Sequence, residues 1–504
     1  METKIAGSGP VIGGDDRISL LPDEIICRVL SLLETKYAVG TAVLSQRWKD
    51  LWTRVSSLDL DSGLVYKPLA EPRKLEPASD ALKRRELEFR RFANKVLAQH
   101  QNLNSLTRFR FHFLRKVHSQ TGFEGEFVFG PPMEEIDVMI SGHKWMRCIP
   151  ESFYTLRNLK FVTLSGVMLG SINKPAFLPS VKNLQLCSVK MGDVESLGRL
   201  LCGCPVLETL LLNCCYFSDK NDGDRFEVSL PWLKNLKIID YEAIWADQMF
   251  PIVIEAPNLE DLYVEAFAEL QFKGTSPLSC LHSAHVNVGV ESYSYLIRLL
   301  TQISNAKKMH LFGKTLSPLS AVDDVLLPVF PNLTHLIIRT IRFEDSIWVL
   351  HSLLSSASKL QLLVLDTANP SGEDRMAWED LETARTPECL LSSLEEIEIK
   401  ELTIYPDVKN MIAYLLRAGA VLKKVSMHVN GNYLKRMGRK DLMPLLELSK
   451  RSSACKVELI FPDDKDIVSD SDDESNTDNS NDDGSNDIDD ENNTSDDDRD
   501  DDFL

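Results

Sequence analysis

Four cysteines that lie close together in the sequence are candidates for chemistry. Cys202, Cys204, Cys214 and Cys215 carry thiols, and thiolates bind zinc when four ligands converge from separated positions. A repeat runs through this part of the chain, and Cys215 takes the repeat position that favours asparagine or cysteine. Cys204 lies at a junction between two repeats. We therefore predict core cysteines rather than a metal site.

Three histidines recur at the same spacing in the middle of the chain. Residues that alternate with inward apolar residues point to the opposite face of a strand, so these histidines share one face of a predicted sheet. Aromatic and arginine side chains are common in the hot spots of protein interfaces. We predict that this face binds a target protein; the alternative is a solvated face without a ligand. The candidate residues are Tyr263, His285, His310, Phe312, His335, Ile337 and Arg339.

Sequence motifs of common catalytic sites are missing from the chain. It has no Walker A loop, no G-x-G-x-x-G turn, no G-x-S-x-G nucleophile elbow and no H-E-x-x-H helix. The three histidines lack an acidic partner that would support a metal site. We predict a chain that is not an enzyme, with no catalytic residues, no metal and no cofactor.

The residues above must be positioned by a repeat of the form L-x-x-L-x-L. Ten copies begin 22 to 34 residues apart, and this period is typical of leucine-rich repeats. Each unit supplies a short strand and a return segment, and stacking the units gives a parallel inner sheet. Helical spacing at 194–201 and 346–354 places helices in the outer layer. The copies begin at Leu159, Val181, Leu207, Leu233, Leu259, Leu281, Ala306, Leu333, Leu360 and Leu394.

Fainter copies extend this repeat in both directions. They begin at Val55, Leu106, Met133 and Leu422. The ninth position of most copies is neither asparagine nor cysteine, which predicts an irregular solenoid.

The N-terminal segment carries apolar residues on more than one face of short helices. Ile25, Ile26, Val29 and Leu30 have helical spacing, and Asp23 and Glu24 follow Pro22 at the predicted helix start. A second helix is predicted through Val43, Leu44, Trp48, Leu51 and Trp52. A unit of roughly 45 residues is too small to bury this much apolar surface alone, so we predict a partner surface.

This segment resembles the F-box of plant proteins. The resemblance lies in Leu21-Pro22-Asp23-Glu24-Ile25, Val43-Leu44-Ser45, Arg47-Trp48 and Leu51-Trp52. It implies docking on a Skp-type adaptor and, through that adaptor, on a cullin-RING ubiquitin ligase. The residues that the resemblance assigns to the adaptor interface are Leu21, Pro22, Ile25, Leu44, Trp48, Leu51 and Trp52.

The C-terminal part of the folded body resembles the FBD region that follows leucine-rich repeats in many plant F-box proteins. The resemblance lies in Leu394-Glu-Glu-Ile-Glu-Ile399 and Leu422-Lys-Lys-Val425. A helix after Pro406 lies between two predicted strands, so we interpret this part as the terminal unit that caps the sheet.

The fold class is therefore α/β, with a small helical F-box, an irregular leucine-rich-repeat solenoid and a disordered acidic tail. The predicted segments are a flexible N-terminus (1–14), the F-box (15–60), a linker and helix (61–100), leucine-rich repeats (101–386), an FBD-like cap (387–461) and the tail (462–504).

Charge is concentrated in that tail. Residues 463–504 hold 20 acidic and two basic residues, so most of the net charge of −19 lies there and the body is almost neutral. We expect no nucleic-acid binding by the body. Residues 1–14 lack the apolar segment of a secretory signal, and no apolar run is long enough to span a membrane. Ten cysteines without a regular framework then favour a cytoplasmic or nuclear protein.

These observations predict the substrate-recognition adaptor of a Skp-cullin-F-box ubiquitin ligase, in which the F-box docks on the Skp-type adaptor and the repeats bind a target protein. An alternative is a ligase-independent leucine-rich-repeat scaffold whose acidic tail binds basic proteins. A hydrolase carried on the solenoid is a third class, and the sequence offers no nucleophile-base pair for it.

Overall fold

Apolar residues at alternating positions place fifteen strands side by side in one parallel sheet. All neighbours in this computed structural model pair in parallel, and the sheet follows the order of the chain. The strands are β1 Ser57–Asp61, β2 Arg108–Phe113, β3 Glu135–Ile140, β5 Phe161–Ser165, β7 Asn183–Cys187, β9 Thr209–Asn213, β12 Asn235–Ile239, β14 Asp261–Ala266, β16 Ser283–Val288, β17 Lys308–Phe312, β18 His335–Arg339, β19 Leu362–Asp366, β20 Glu396–Leu402, β21 Lys424–Val429 and β22 Lys456–Ile460.

The structure describes residues 18, 20–65, 78–100, 103–113, 127–141, 147–217, 226–239, 252–266, 270–274, 276–289, 292–320, 326–339, 347–366, 385–403, 406–431, 434 and 455–462. The predictions of a flexible segment 1–14, of the linker over 66–77 and of a disordered tail over 463–504 lie outside these residues.

Two small sheets run beside the main one. They are made by the return segments of consecutive repeats and are also parallel. The first contains β4 Arg147–Cys148, β6 Val167–Leu169, β8 Lys190–Met191 and β10 Tyr216–Phe217; the second contains β11 Phe226–Ser229, β13 Ile252–Glu255 and β15 Leu270–Phe272.

Ten helices are found in the described residues, and most of them follow a strand of the main sheet. They are α1 Asp23–Leu30, α2 Thr35–Gly40, α3 Ser62–Val65, α4 Ala78–Gln99, α5 Val194–Cys202, α6 Tyr293–Gln302, α7 Gly313–Ser320, α8 Ile347–Ser356, α9 Glu388–Ser392 and α10 Pro406–Ala418. Short 3-10 helices cover Thr41–Val43, Leu51–Arg54, Leu103–Ser105 and Glu151–Thr155. No helix among the described residues combines the length and apolar character that crossing a membrane requires.

The repeat prediction is confirmed by burial and register. In each copy the three apolar residues point into the core, as Leu207, Leu210 and Leu212 do. Leu210 of β9 lies opposite Leu236 of β12, so equivalent residues of successive repeats are neighbours in the sheet. The faint copies are also strands: Leu58, Phe109 and Ile136 are buried neighbours in β1, β2 and β3.

A bend in the left-handed backbone region ends three successive strands. Gly166, Ser188 and Cys214 have φ values of 65°, 49° and 47°. Each donates its N–H to the carbonyl at the end of the next strand in the sheet, over 2.7 to 3.0 Å. A Cβ at position 166 would lie 1.8 Å from the Ile140 carbonyl oxygen, so only glycine fits there. Backbone hydrogen bonds therefore stabilise these turns, and the asparagine that is usual in leucine-rich repeats is largely absent from this protein.

The wide core near the N-terminal end of the sheet is filled by aromatic side chains. Helix α4 lays Phe89 against β2, where its ring stacks on Phe113 at 5.6 Å and lies 6.0 Å from Phe111. Phe127 meets Phe111 edge-on at 5.4 Å. Such ring pairs add about 0.5–1.5 kcal/mol to the burial of their area. The helix begins at Ala78, inside the segment 61–100 that was predicted to hold a linker and a helix.

The predicted second N-terminal helix is not continuous. Helix α2 ends at Gly40 and is followed by two 3-10 helices with turns between them. The bonds from Trp48 N–H to the Ser45 carbonyl and from Leu51 N–H to the Trp48 carbonyl span three residues, at 3.1 and 3.4 Å. Trp48 and Leu51 are buried in the same core, whereas Leu44, one helical turn before Trp48, is exposed, so tertiary packing overrides helical spacing here.

Strand β22 was not predicted as a strand. Its Val457 and Leu459 alternate as in the other copies, but both are only half-buried. Its signal in the sequence is therefore weaker.

Candidate functional site

The N-terminal unit is fixed to the first strand of the sheet by hydroxyl groups. Ser31 Oγ accepts a hydrogen bond from Ser56 N–H at 3.0 Å, and Thr35 Oγ1 accepts one from Asp59 N–H at 2.7 Å. Both hydroxyls lie between the unit and β1, and Thr35 is buried. The unit and the sheet therefore share one core.

An ion-pair cluster joins the two halves of the unit. The Asp23 carboxylate, at the start of α1, accepts hydrogen bonds from Arg47 and Arg54 at 2.7 and 2.9 Å. Arg47 also donates to the Leu21 carbonyl at 2.5 Å. The Arg54 and Arg47 guanidinium groups lower the pKa of Asp23, with Arg54 the larger cause. The cluster holds the Leu21–Asp23 turn against the Arg47–Arg54 segment.

Three of the seven residues predicted at the adaptor interface are buried. Leu51, Trp52 and Trp48 are 0%, 6% and 9% exposed. Cys27 of α1 packs against this group, and its thiol donates to the Leu51 carbonyl at 3.5 Å. These three side chains hold the helices together, so a partner cannot contact them without opening the unit.

The other four predicted residues are accessible. Ile25 and Leu44 are 40% and 64% exposed, Pro22 is exposed and Leu21 is half-buried. Their contact with an adaptor stays a prediction. Leu21 and Pro22 lie on the turn before α1, Ile25 lies on α1, and Leu44 directly follows the first 3-10 helix.

Sequence reasoning missed further exposed apolar residues of the same unit. Val29 follows Ile25 by four positions, so both project from one side of α1, whereas Ile26 and Leu30 are buried on the adjacent side. Helical spacing alone could have identified Val29. Large exposed apolar side chains on a folded surface indicate interaction sites when they collect in one region. The additional residues are Leu20, Val29, Leu32, Leu33, Tyr37 and Val43.

The residues predicted to bind a target share the solvent-facing side of the main sheet, which we call the open face. Tyr263 of β14 stacks on His285 of β16 at 4.0 Å between ring centroids. His285 lies 5.5 Å from the His310 ring and 5.2 Å from the Phe312 ring. Ile337 lies directly opposite His310 in the neighbouring strand. The structure therefore brings these five side chains together.

The other two predicted residues lie at the margins of this group. Arg339 is opposite Phe312, and its guanidinium carbon is 5.9 Å from the Phe312 ring. His335 is at the start of β18, where its Nδ1 is 2.9 Å from the Thr334 hydroxyl and away from the stacked rings. Whether any of the seven contacts a target stays a prediction.

The imidazoles of His285, His310 and His335 are neutral near pH 7. Burial lowers the pKa of His285 to about 4, with the neighbouring His310 as the second cause. Burial also lowers the pKa of His310, helped by Arg339 and Lys308. His285 Nε2 is buried and has no hydrogen-bond partner among the described residues. The face thus offers aromatic and neutral hydrogen-bonding groups rather than a charged imidazole pair.

Sequence reasoning missed three polar residues that belong to this group. Lys237 of β12 places its ammonium 4.5 Å from the Tyr263 ring centroid. Glu265 accepts hydrogen bonds from the Tyr263 hydroxyl at 2.8 Å and from Asn287 at 3.0 Å. The same alternation that identified Tyr263 places all three on the open face.

Two of the four neighbouring cysteines lie in the core. Cys204 and Cys215 are buried, and burial raises the pKa of each thiol to about 12. The Cys215 thiol donates to the Leu186 carbonyl at 3.5 Å, as a core cysteine does. Cys202 is exposed on α5. Within the described ranges, no group of three or more His, Cys, Asp or Glu side chains is arranged to hold a metal ion.

Three family profiles match the chain, each in a different part. The F-box domain profile matches residues 18–60, the profile of the leucine-rich repeats of the FBD-associated F-box protein At5g56370 matches residues 132–288, and the FBD profile matches residues 382–427. The first match contains the exposed apolar residues of the N-terminal unit, and the second ends on β16 of the open face.

Relatives match the chain over most of its length. The putative FBD-associated F-box protein At5g50270 of Arabidopsis thaliana is 30% identical, over 81% of this chain and 96% of the relative. The putative FBD-associated F-box protein At3g50710 is 27% identical over 88% and 99%, and the probable FBD-associated F-box protein At1g32375 is 29% identical over 88% and 99%, both from the same organism.

Proposed function

This chain belongs to the FBD-associated F-box protein family, and from that premise we propose that it is the substrate-recognition subunit of a Skp-cullin-F-box ubiquitin ligase. Its N-terminal unit docks on a Skp-type adaptor, and the open face of its repeats holds a target protein. The chain is not catalytic itself. It raises the effective concentration of the target beside the ubiquitin-transferring subunit.

The observation that carries this proposal is the division of apolar residues in the N-terminal unit. Ile26, Leu51 and Trp52 already form a core with the first strand, yet Ile25 and Leu44 remain exposed. Their exposure has no structural use within the chain, because the unit is packed without them. Burying such side chains against a partner contributes about 1.5–3 kcal/mol each.

The division also assigns roles to the predicted residues. We propose that Pro22, Ile25 and Leu44, together with Val29 and Val43, contact the adaptor. Leu21 takes part through its half-exposed side chain. Trp48, Leu51 and Trp52 act indirectly, by holding α1 and the 3-10 helices in position.

The proposal also extends to the compartment. We propose a cytoplasmic or nuclear location, where thiols stay reduced. This is supported by the ten cysteines, all of which are free.

The test is binding to a purified plant Skp-type adaptor. Ile25→Asp and Leu44→Asp place a charge on exposed positions, so we expect each to weaken the adaptor complex at least about tenfold without changing the melting temperature. The matched control is Leu326→Asp, because Leu326 is also highly exposed but lies in the repeats. If both F-box variants bind the adaptor as tightly as the control, the proposed docking surface is wrong.

A further inference from the structure

The centre of the open face carries a continuous row of aromatic and apolar side chains. Parallel register aligns Lys237, Tyr263, His285, His310 and Ile337 across five neighbouring strands. Strands lie about 4.8 Å apart, so the row is about 19 Å long. This length exceeds most small molecules and equals about six residues of an extended peptide.

Basic side chains at the two ends of the same face form ion pairs with neighbouring carboxylates. At the N-terminal end Arg110 pairs with Asp59, Asp61 and Asp137 at 3.2 to 3.5 Å. At the C-terminal end the side chains of strands β20 to β22 form their own pairs, such as Lys424 with Glu458 at 3.4 Å. The basic side chains Arg110 and Lys424 at these ends are therefore already paired with carboxylates.

The cations at the centre are in a different situation. Lys237 and Arg339 lie against the Tyr263 and Phe312 rings, and Lys308 precedes His310 on β17. None of the three has a carboxylate within ion-pair distance among the described residues. Glu265, the nearby acid, is already bonded to the Tyr263 hydroxyl and Asn287. Lys237 thus stands at one end of the row, and Arg339 lies beside the other end, two residues after Ile337 on β18.

We propose that the open face binds an extended acidic segment of the target protein, with an aromatic or large apolar residue over His285 and His310 and acidic residues reaching Lys237 and Arg339. This deepens the proposed function and rests on its assignment of the repeats to target binding.

The spacing of the acidic residues follows from the sheet. Lys237 and Arg339 come from strands four spacings apart, but each leans over the ring of the neighbouring strand toward the centre. Their charges therefore lie between about two and four spacings apart, about 10–19 Å. In an extended peptide this corresponds to acidic residues about three to six positions apart.

A nucleic acid fits this face less well than an acidic peptide. Phosphate backbones are bound by rows of basic residues, because each neutralised phosphate releases counterions. The centre has three cations, and Glu265 and Asp261 lie on the same strand as Tyr263. A few separated acidic groups complement this arrangement better than a continuous polyanion does.

The experiment uses the full chain bound to a Skp-type adaptor and fluorescent peptides with blocked ends. The peptides have eleven residues, with two glutamates three to six positions apart, Trp, Phe or Leu between them, and Ser or Gly elsewhere. We expect binding in fluorescence anisotropy for a subset of spacings. Replacing both glutamates by glutamine should weaken that binding about tenfold, and added salt should do the same.

The variants test the site on the protein. Lys237→Glu with Arg339→Glu should abolish the preference for glutamate over glutamine peptides, whereas Lys174→Glu, an exposed lysine away from the sheet, should leave it unchanged. Adaptor binding by the same preparations reports separately on the F-box and on folding. Absence of binding by every peptide at millimolar concentration, or equal binding by the double variant, would overturn the proposal even if the adaptor still binds.

Discussion

Arg47 donates to the Asp23 carboxylate at 2.7 Å, across 24 residues of chain, and so joins the two halves of the F-box motif. Leu-Pro-Asp at one end of the motif and Arg-Trp at the other are conspicuous in the sequence, but only the structure relates them. The ion pair lies on the surface and leaves the apolar core to Trp48 and Leu51. It orients the segments that carry the exposed apolar residues.

The pKa of Asp23 should respond more to Arg54 than to Arg47. Arg54 is the larger cause of its lowered pKa, so Arg54→Ala should raise the Asp23 pKa further toward 3.8 than Arg47→Ala does. A carboxyl with a lowered pKa stabilises the fold above pH 3.8 and loses this contribution as pH falls through the lowered pKa. Carboxyl NMR titration of the three proteins measures it, and identical titrations would contradict the assigned geometry.

Buried and exposed F-box positions should separate in their effect on stability. Leu51→Ala removes a fully buried side chain and should lower the free energy of unfolding by about 2–5 kcal/mol. Leu32→Ala, at a position 87% exposed, should change it by less than about 0.5 kcal/mol. Urea unfolding of both variants tests the packing. A stable Leu51→Ala protein would show that the unit does not share the core of the sheet.

Thiol labelling should sort the cysteines by burial. Cys148 and Cys202 are exposed and should react rapidly with a disulfide reagent in the native protein. Cys204, Cys215 and Cys389 should react only on unfolding, because burial raises their pKa values to about 12, 12 and 11. Mass spectrometry of the labelled peptides identifies each site, and rapid labelling of Cys215 would rule out its core position.

The aromatic core under α4 should depend on Phe89. This ring is fully buried between Phe111 and Phe113, so Phe89→Ala should destabilise the protein by about 3–5 kcal/mol. Phe89→Leu keeps much of the volume and should cost less. Thermal unfolding of the two variants gives the comparison, and equal melting temperatures would contradict the stacked arrangement.

Acidification should destabilise the open face through its histidines. His285 has a pKa of about 4 in the folded protein, against 6.5 ordinarily. Between pH 4 and 6.5, His285 therefore binds a proton in the unfolded chain but not in the folded one. Stability should therefore fall as pH decreases from 6.5 to 4, and not above 6.5. Burial is the largest cause of this lowered pKa; His310, Arg339 and Lys237 lower it further, and Glu265 opposes them.

A variant isolates the contribution of this histidine. His285→Phe keeps a planar ring in the stack with Tyr263 and should flatten the pH dependence of urea unfolding over that range. His310 and His335 have lowered pKa values as well, so some dependence remains. An unchanged pH dependence in His285→Phe would mean that this imidazole is not buried as described.

Much of the main sheet could be predicted from the sequence, because the alternation of apolar and polar residues within a strand indicates which of its side chains are buried. Leu210 and Leu212 alternate with polar residues whatever the rest of the chain does, and the same pattern located even the faint copy at Val55. The open-face residues followed from the same alternation. Strand β22 escaped prediction because its Val457 and Leu459 are only half-buried, and alternation is a signal of burial.

Which apolar residues of the F-box motif are buried and which are exposed could not be predicted in this way. Trp48 and Leu44 are both apolar and four positions apart, which predicts one face of a helix, yet Trp48 is buried and Leu44 is exposed. The 3-10 turns between them are set by packing of the two tryptophans against α1 and β1, which involves residues distant in sequence.

The amino-acid sequence by itself determined the family, the repeat and the face on which Tyr263, His285 and His310 lie, because these depend on local periodicity. The tertiary structure decided which apolar residues stay exposed and can contact a partner protein, and which charged side chains have no ion-pair partner among the described residues. Burial of Leu51 and pairing of Arg110 are properties of neighbours brought together by the sheet. Exposure and ion pairing are sums over the whole environment of a side chain, so no local pattern specifies them.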